Sequence, residues 1–433
     1  MIRALYSVLL WLMTPLVMLY LWRRSLKQPD YRKHWNERWG FYGKRTRSDQ
    51  RTIWLHAVSV GEVRAAAPLI KSLKDAWPDH RILLTCMTPT GRATAQELLG
   101  DAVMIAYLPY DYAGATRRFI RQFKPVFGLL METEIWPNLV AVCRARGVPL
   151  FLVNARLSAK SAAGYQRWHW LANPAFAGLT TTFAQSDADA ARIAALGAQS
   201  VLVTGNVKFD FDPPTAKVSL GKEWRNALGP RPVLLFASSR EGEETLLLDA
   251  LSHNTLPADT LLVIVPRHPQ RFDEVAALIS ARGMRCLRRS EWNGQDAGDA
   301  QVLLGDSMGE LTAWYTLADV AIIGGSLLPF GSQNLIESCA VGTPVVMGPS
   351  TFNFAEAARM AVEAGAALQG ADTAQVAQLA IGLLQNDAAR HTASVAALHF
   401  ASAHRGATER VLSELAQQLA RTAPPTGSTP PAH

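Results

Sequence analysis

Residues 320–337, VAIIGGSLLPFGSQNLIE, contain the pattern that decides the fold class. Four apolar residues, Val320–Ile323, predict a buried strand, and a glycine-rich loop at 324–332 follows directly. Asn334 and Glu337 come next, three residues apart, so one face of a following helix carries both. A glutamate there can accept two hydrogen bonds from a ribose diol. A strand, a glycine turn and a helix form the repeating unit of α/β proteins.

Short apolar runs alternate with helix-like stretches along most of the chain, which predicts two doubly wound parallel sheets. The expected strands of the first half are Ile53–His56, Arg81–Cys86, Val103–Ala106, Val126–Leu130, Leu150–Val153, Thr181–Ala184 and Val201–Thr204. Those of the second half are Val233–Ala237, Leu261–Val265, Val302–Leu304, Val320–Ile323 and Val345–Met347.

The prolines of residues 207–232 predict a linker with a short helix. It would join an amino-terminal α/β domain at 52–206 to a second α/β domain at 233–420. The tail at 421–433 is rich in Pro, Ser and Thr and is expected to be disordered.

Composition places the chain among globular proteins. Of its 433 residues 49% are apolar and 18% are charged, which excludes a wholly disordered chain. The four cysteines lie at least 53 residues apart, so neither a zinc ribbon nor a redox dithiol is encoded locally, and reduced thiols suit a cytosolic face. The net charge of +7 equals that of residues 23–51 alone, with ten basic and three acidic residues. The rest of the chain therefore has no net charge, so the basic balance indicates one basic segment and not a nucleic-acid-binding body.

The amino end predicts a membrane anchor at residues 1–22. Ala4–Trp22 has nineteen residues without a charge, and a helix of that length reaches about 28 Å, close to the hydrocarbon thickness of a bilayer. Arg23 and Arg24 follow, and basic flanks stay cytoplasmic. We favour a spanning helix over a cleaved signal peptide, but Pro15 leaves a helix lying in the interface open.

The basic segment interleaves Arg and Lys with aromatic residues, and Arg32, Lys33 and Arg38 are candidates for contacting anionic lipid headgroups or an anionic lipid substrate. The alternative is a solvated juxtamembrane helix.

Charged residues follow several predicted strands of the first half, where open α/β sheets bind ligands. Glu62, in Val58-Ser59-Val60-Gly61-Glu62, could be a general base or simply an acid at a helix start, and Gly61 would permit a tight turn. Glu132 and Glu134 flank Thr133 next to a strand end, and one of them could face a substrate. Lys208 lies between apolar residues, where it could meet an anionic group or form an interdomain salt bridge.

The second half offers sites for a nucleotide. Arg267 and His268 follow a strand and suit a phosphate or carboxylate. Residues 306–311 form a loop that enters a helix, and their amides could receive an anion or a base edge. Two D-x-D sequences, at 187–189 and 210–212, lack supporting ligands, so we expect no metal site.

These residues, in this order, resemble the family of 3-deoxy-D-manno-octulosonic acid (Kdo) transferases of bacterial lipopolysaccharide synthesis. The resemblance extends from the anchor to about residue 405. The matching stretches are Arg38-Trp39-Gly40, SVGE at 59–62, METEIWPN at 131–138, NARLS at 154–158, GNVKFD at 205–210, PRHP at 266–269, SMGEL at 307–311 and GGSLLPFGSQNLIE at 324–337.

The resemblance implies a two-domain GT-B fold and an inverting transfer of Kdo from CMP-β-Kdo to a lipid A precursor, lipid IVA, without a metal or other cofactor. It implies Glu62 as the general base and Glu132 and Lys208 as transition-state stabilisers. Together with Arg23 and Arg24 after the apolar run, this activity leads us to expect the protein at the cytoplasmic face of the bacterial inner membrane, with anionic lipid as a partner. The residues implied for CMP are Arg267, His268, Met308, Gly309, Glu310, Asn334, Leu335, Ile336 and Glu337.

Three rivals remain open from the residues alone. They are a GT-B glycosyltransferase that uses a UDP- or GDP-sugar, a sugar-nucleotide epimerase of the same fold, and a membrane-tethered binding protein without catalysis. The two enzymes give no reason for the anchor and the basic segment, and the binding protein needs no glutamate at position 62. The number of Kdo residues transferred is not encoded in these motifs.

Overall fold

The computed structural model describes residues 2–43 and 50–422. The chain forms two compact units. Unit 1 comprises Met1–Asp210 together with Arg405–His433, and unit 2 comprises Phe211–His404. Of the expected basic segment, residues 44–49 lie outside the described part of the chain, and so do residues 423–433 of the expected tail.

Unit 1 is built on one parallel sheet of seven strands. Its strands are β1 (Arg51–His56), β2 (His80–Cys86), β3 (Met104–Tyr107), β4 (Pro125–Met131), β5 (Leu150–Ala155), β6 (Thr181–Ala184) and β7 (Val201–Val203). They lie in the order β3-β2-β1-β4-β5-β6-β7. The seven strands expected in this half are therefore all present, with ends shifted by at most two residues.

Both faces of this sheet are buried. Ile53 and Leu55 of β1 belong to one apolar cluster, and Trp54 between them belongs to another on the opposite face. Parallel strands covered by helices on both faces consist of nearly continuous apolar runs, which is why the sequence locates them well. The helices are α1 (Ile2–Lys27), α2 (Val60–Ala76), α3 (Pro89–Leu99), α4 (Ala113–Phe123), α5 (Pro137–Ala145), α6 (Ala159–Arg167), α7 (His169–Phe176) and α8 (Asp187–Ala195).

Unit 2 contains the second parallel sheet. Its strands are β8 (Val233–Ser239), β9 (Leu261–Pro266), β10 (Cys286–Arg288), β11 (Val302–Leu304), β12 (Val320–Ile323), β13 (Val345–Met347) and β14 (Ala367–Gln369), in the order β10-β11-β9-β8-β12-β13-β14. The edge strands β10 and β14 were not expected. Each has three residues and is only partly buried, so neither produces an apolar run.

The helices of unit 2 are α9 (Thr215–Leu228), α10 (Glu243–Ser252), α11 (Phe272–Ala281), α12 (Leu311–Leu317), α13 (Ile336–Ala340), α14 (Ala355–Glu363), α15 (Thr373–Gln385) and α16 (Asp387–Ala403). Most of the expected linker at 207–232 is α9, which packs on α12. Trp224 of α9 is buried, and its ring centroid lies 4.5 Å from that of Trp314. Residues 215–228 therefore belong to the core of unit 2.

The last helix, α17 (Ala407–Thr422), returns to unit 1. Its residues Ala407, Val411 and Leu415 are fully buried in the core of unit 1. The expected boundaries at 233–420 and 421–433 differ from this arrangement. The second domain ends at His404, and the helix continues through residues 421 and 422, because its apolar face completes the other unit.

Each sheet has one point at which the strand order reverses direction. In unit 1 this switch point lies between β1 and β4, and in unit 2 between β8 and β12. Ligands of open α/β sheets bind outside the carboxyl ends of the strands at such points. The residues that follow these four strands are therefore the first candidates for function.

Candidate active site

Glu62 lies at the start of α2, just beyond the carboxyl end of β1. Ser59 caps the helix: its Oγ accepts from the Glu62 amide at 3.5 Å and donates to Glu62 Oε1 at 3.0 Å. The Val58 amide donates to Oε2 at 2.9 Å. Gly61 lies within α2 and its φ is not positive, so the tight turn expected there is absent.

The surroundings of Glu62 act on its ionisation in opposite directions. Burial raises the pKa of Glu62 to about 7, and the Val58 amide offsets part of this effect, while the carboxylates of Glu132 and Glu134 raise the pKa further. The capping contacts with Val58 and Ser59 lower the pKa of Glu62, and burial outweighs them. A carboxylate that titrates near neutrality is suited to general base catalysis.

Glu132 and Lys208 form an ion pair at the same edge of the sheet. Glu132 follows β4, the neighbour of β1, and the distance from Lys208 Nζ to Glu132 Oε1 is 2.8 Å. Each side chain is 17% exposed. Glu132 has a left-handed backbone with φ of +57°, a conformation that costs a non-glycine residue about 1–3 kcal/mol and occurs often at functional sites. Its amide donates to Val153 O at 2.9 Å, which fixes the turn.

Glu134 lies nearby and is held differently. Its Oε2 accepts from Trp136 Nε1 at 2.7 Å, and burial raises its pKa. Since both Glu132 and Glu134 act on the ionisation of Glu62, the structure brings three carboxylates and one lysine together beyond β1 and β4.

Asn154, whose role was missed from the sequence, positions Lys208. It is the fifth residue of β5, is fully buried, and has φ of +55°. Its Oδ1 accepts from the Val207 amide at 3.1 Å, at the start of the 3₁₀ helix Val207–Asp210 that carries Lys208. The signal was a polar residue at the end of an apolar strand, within NARLS at 154–158.

In unit 2, topology brings the expected donor-binding residues to one edge. The strands β11, β9, β8 and β12 are consecutive in the sheet, so the loops after them are neighbours. Arg267 and His268 follow β9, and the Arg267 amide donates to Ser239 O at the end of β8. The pKa of His268 is lowered by burial and by Arg240 and Arg267 nearby, which favours a neutral imidazole.

In the loop after β11, the side chain of Met308 is exposed and that of Glu310 is hydrogen-bonded within the protein. Met308 is 52% exposed, and Gly309 has φ of +76°. Both oxygens of Glu310 accept from the Arg289 guanidinium at 3.0 Å, and Ser307 Oγ also donates to Glu310. Glu310 therefore fixes its own loop.

The residues predicted to bind CMP after the glycine-rich loop also differ in their environments. Asn334 Nδ2 donates to Glu337 Oε1 at 3.2 Å, so these two polar residues do meet. Leu335 and Ile336 are fully buried, so their side chains belong to the core.

Glu243 connects the two loops at the switch point of unit 2, and it was not among the residues predicted from the sequence. This carboxylate is fully buried and accepts from the amides of Arg240, Gly325, Leu327 and Leu328 at 2.8, 2.7, 2.9 and 3.3 Å. It thereby ties the loop after β8 to the glycine-rich loop after β12. The signal was present, because Gly242-Glu243 follows β8 as Gly61-Glu62 follows β1.

The three basic candidates of the amino-terminal segment lie in different environments. Arg32 is exposed, and its Nε donates to Ser25 Oγ at 3.1 Å. Lys33 is exposed and pairs with Asp30 at 2.8 Å. Arg38 is only 2% exposed; it donates to Met87 O at 3.1 Å, and its guanidinium carbon lies 4.2 Å from the centroid of the Tyr107 ring. Arg38 thus lies inside unit 1, apart from the exposed basic surface.

Two aspartates of the D-x-D sequences have structural partners. Asp189 Oδ1 accepts from the Leu157 amide at 2.9 Å, and Asp210 accepts from three amides at the start of α17. In the described part of the chain, no group of three or more His, Cys, Asp or Glu residues could hold a metal ion.

Comparison with known proteins identifies the fold. The UDP-GlcNAc 2-epimerase of Neisseria meningitidis superposes with a TM-score of 0.59 at 14% identity, over 85% of this chain and 100% of that one. A glycosyltransferase of Rickettsia africae gives a TM-score of 0.57 at 15% identity, over 87% and 100%. At such identities the likeness concerns the fold alone. With two parallel seven-stranded sheets and an amino-terminal apolar helix, the chain has the α/β GT-B fold.

Sequence relatives identify the family. A family model described as 3-deoxy-D-manno-octulosonic-acid transferase (kdotransferase) matches residues 33–211. The 3-deoxy-D-manno-octulosonic acid transferase of Bordetella pertussis is 44% identical over 96% of this chain and 99% of its own length. That of Haemophilus influenzae is 37% identical over 97% and 99%. The chain therefore belongs to the 3-deoxy-D-manno-octulosonic acid (Kdo) transferase family of glycosyltransferases.

Proposed function

We propose that the protein transfers Kdo from CMP-β-Kdo to the lipid A precursor lipid IVA, with inversion at the anomeric carbon and with Glu62 as general base. The single observation that carries this mechanism is the half-buried carboxylate of Glu62 just beyond β1, at the switch point of unit 1, in a chain of the Kdo transferase family. A sugar hydroxyl is a weak nucleophile, and a positioned base accelerates its attack by roughly 10²–10⁴-fold.

The chemistry assigns one task to each group. Glu62 takes the proton of the acceptor hydroxyl as its oxygen bonds to the anomeric carbon of Kdo. The bond from that carbon to the phosphate oxygen breaks on the other side, and CMP leaves as a phosphate monoester. Glu132 and Lys208 stabilise charge in the transition state. Lys208 is suited to this because its ammonium is fixed by an ion pair of 2.8 Å.

Unit 2 binds the nucleotide in this proposal. Arg267 and His268 after β9, the loop Met308–Glu310 after β11, and the pair Asn334 and Glu337 after β12 all belong to one edge of the sheet. Arg267 supplies positive charge for the phosphate. Leu335, Ile336 and the engaged Glu310 contribute through the backbone and by holding these loops in place.

We further propose that the reaction needs no metal ion and that the protein works at the cytoplasmic face of the inner membrane. The carboxylates of Asp189 and Asp210 already accept backbone amides, which supports the first point. Four cysteines without a disulfide and an apolar helix followed by Arg23 and Arg24 support the second.

The test is the Glu62→Gln variant, with Glu97→Gln on the exposed part of α3 as the matched control. CMP release and the mass of the lipid product are measured with CMP-β-Kdo and lipid IVA, with UDP- and GDP-sugars as control donors. We expect Glu62→Gln to lose at least about 10²-fold in turnover with unchanged CMP affinity, and Glu97→Gln to match the wild type. Wild-type turnover should rise with pH through about 7, as Glu62 loses its proton. Turnover of Glu62→Gln within a few-fold of the wild type would refute the assignment.

A further inference from the structure

The amino-terminal helix α1 is apolar enough to cross a membrane, yet three hydroxyl side chains and one leucine line one side of it. Its window Ile2–Leu26 has a mean hydropathy of 1.9, and 6% of that window is buried in the protein. Ser7, Thr14, Leu21 and Ser25 recur at intervals that place them within roughly 40° of one direction on the helix. We call these four residues the inner stripe.

The inner stripe contacts the rest of unit 1 at separate points along the helix. Near the amino end, Ser7 Oγ accepts from Asn138 Nδ2 at 3.1 Å. About two turns further on, Thr14 Oγ1 lies 2.7 Å from the hydroxyl of Tyr112. At the other end, Leu21 and Ser25 are buried, and Ser25 Oγ accepts from Arg32 Nε of the segment that follows α1 at 3.1 Å.

Tyr6, next to the inner stripe, adds a further contact. Its hydroxyl donates to Asp111 Oδ2 at 3.1 Å. Asp111 is itself buried and accepts from the amides of Asn138 and Leu139 at 2.9 and 2.8 Å, so this contact reaches a fixed part of the α/β body.

The opposite side of α1 is aliphatic and uncovered in unit 1. Its outer face consists of Leu5, Leu9, Leu12, Leu16 and Leu19, which are between 51% and 72% exposed. Tyr20 and Trp22 near its carboxyl end are also more than half exposed, and Arg23 and Arg24 follow with exposed side chains. The leucines suit the acyl region of a bilayer, the aromatic rings suit its interface, and the adjoining cations suit anionic headgroups.

A crossing helix cannot keep the contacts of its inner stripe. If Arg23 marks the cytoplasmic boundary, Ser7 lies sixteen residues deeper, at about 24 Å along the helix axis. That depth is close to the far side of a hydrocarbon layer of about 30 Å. Asn138 and the buried carboxylate of Asp111 would have to enter the hydrocarbon with it, which polar and charged groups strongly disfavour.

We propose that α1 lies flat in the membrane interface, with its outer face in the acyl region and its inner stripe docked on unit 1. The partner is a bilayer that contains anionic lipid. The helix then holds unit 1 against the lipid surface along its whole length, instead of tethering it by one end. This inference rests on the contacts of α1 and is independent of the proposed transfer reaction.

Spin labels on the outer face test the proposal in the full-length protein. Labels are placed singly through Leu5→Cys, Leu12→Cys and Leu19→Cys, in a Cys286→Ser background because the other three cysteines are buried. Immersion depth is measured from collisions with oxygen and with a nickel chelate in phosphatidylethanolamine–phosphatidylglycerol vesicles. Lys71→Cys, on the exposed side of α2, is the matched control and should stay in water.

A flat helix predicts equal depths at the three positions, because they are seven residues apart and share one face. A crossing helix predicts that Leu12→Cys is deepest, with neighbours displaced by about 10 Å along the axis. That gradient would overturn the proposal, and so would a label at position 12 that stays in water.

A second, independent measurement asks on which side of the membrane the amino end of α1 lies. Ile2→Cys, in the same Cys286→Ser background, is treated with a membrane-impermeant maleimide in right-side-out and inside-out membrane vesicles. We expect labelling only in inside-out vesicles, where the cytoplasmic face is accessible. Labelling in right-side-out vesicles would place the amino end on the far side and refute the flat helix, whatever the transfer activity of the preparation.

Discussion

Replacing Asp210 by alanine should destabilise unit 1 without changing the chemistry. Asp210 Oδ1 accepts from the amides of Gly406 and Ala407 at 2.6 and 3.2 Å, and Oδ2 accepts from Thr408 at 2.5 Å. The carboxylate thus caps α17 from a distant part of the chain. Loss of a capping side chain costs about 0.5–2 kcal/mol. Loss of an anion at a helix start adds about 0.3–1 kcal/mol.

Together these effects predict a loss of about 1–3 kcal/mol in the free energy of unfolding. For a unit of this size that corresponds to a fall of roughly 2–12 °C in the unfolding midpoint of unit 1. Asp210→Asn keeps one acceptor oxygen and should lose less. Asp187→Ala is the matched control, because this exposed acid in the first turn of α8 offers only a dipole interaction.

Two measurements distinguish a capping role of Asp210 from a metal-binding role. They are calorimetric unfolding, and turnover with and without excess EDTA. We expect a lowered midpoint for Asp210→Ala, near-normal turnover below that midpoint, and no effect of EDTA on the wild type. An unchanged midpoint, combined with lost turnover that depends on magnesium, would show that the D-x-D sequence binds a metal and that the capping argument is wrong.

Two further predictions concern the proposed site. Glu132→Gln removes a negative charge that raises the pKa of Glu62, so the acidic limb of the pH–turnover profile should move to lower pH; a limb that stays or moves upward would contradict the coupling. Arg267→Ala and Glu337→Gln should each weaken CMP binding by about 10–100-fold, as expected for one charge-assisted hydrogen bond, with acceptor KM unchanged. Arg285→Ala, an exposed arginine of unit 2, is the control, and calorimetry that finds wild-type CMP affinity in both site variants would remove them from the donor site.

The sequence predicted the strands well because buried parallel strands are continuous apolar runs. It could not predict their order, and order is what brings Glu62 after β1 next to Glu132 after β4. Strand order depends on pairing between residues far apart in the chain. The same holds for Glu243, whose four amide partners include three from a loop more than eighty residues away.

Residue type alone also did not predict which polar side chains are exposed. Arg38 was grouped with Arg32 and Lys33 because all three lie in one basic segment. It points inward because Tyr107 offers an aromatic face and Met87 a carbonyl, and neither is visible from local sequence. Asn154 has its role because its backbone turns left-handed at the end of β5, which the letters NARLS do not reveal.

The return of α17 to unit 1 determines the order in which the two units can be completed during synthesis. Unit 2 is one continuous stretch, Phe211–His404, and has its whole sequence as soon as residue 404 leaves the ribosome. Unit 1 begins first but lacks Ala407, Val411 and Leu415, which close its core against α2. Until α17 is synthesised, the earlier part of unit 1 exposes the apolar residues that α17 later covers. Exposed apolar surface of this kind on a nascent chain is where a chaperone would bind.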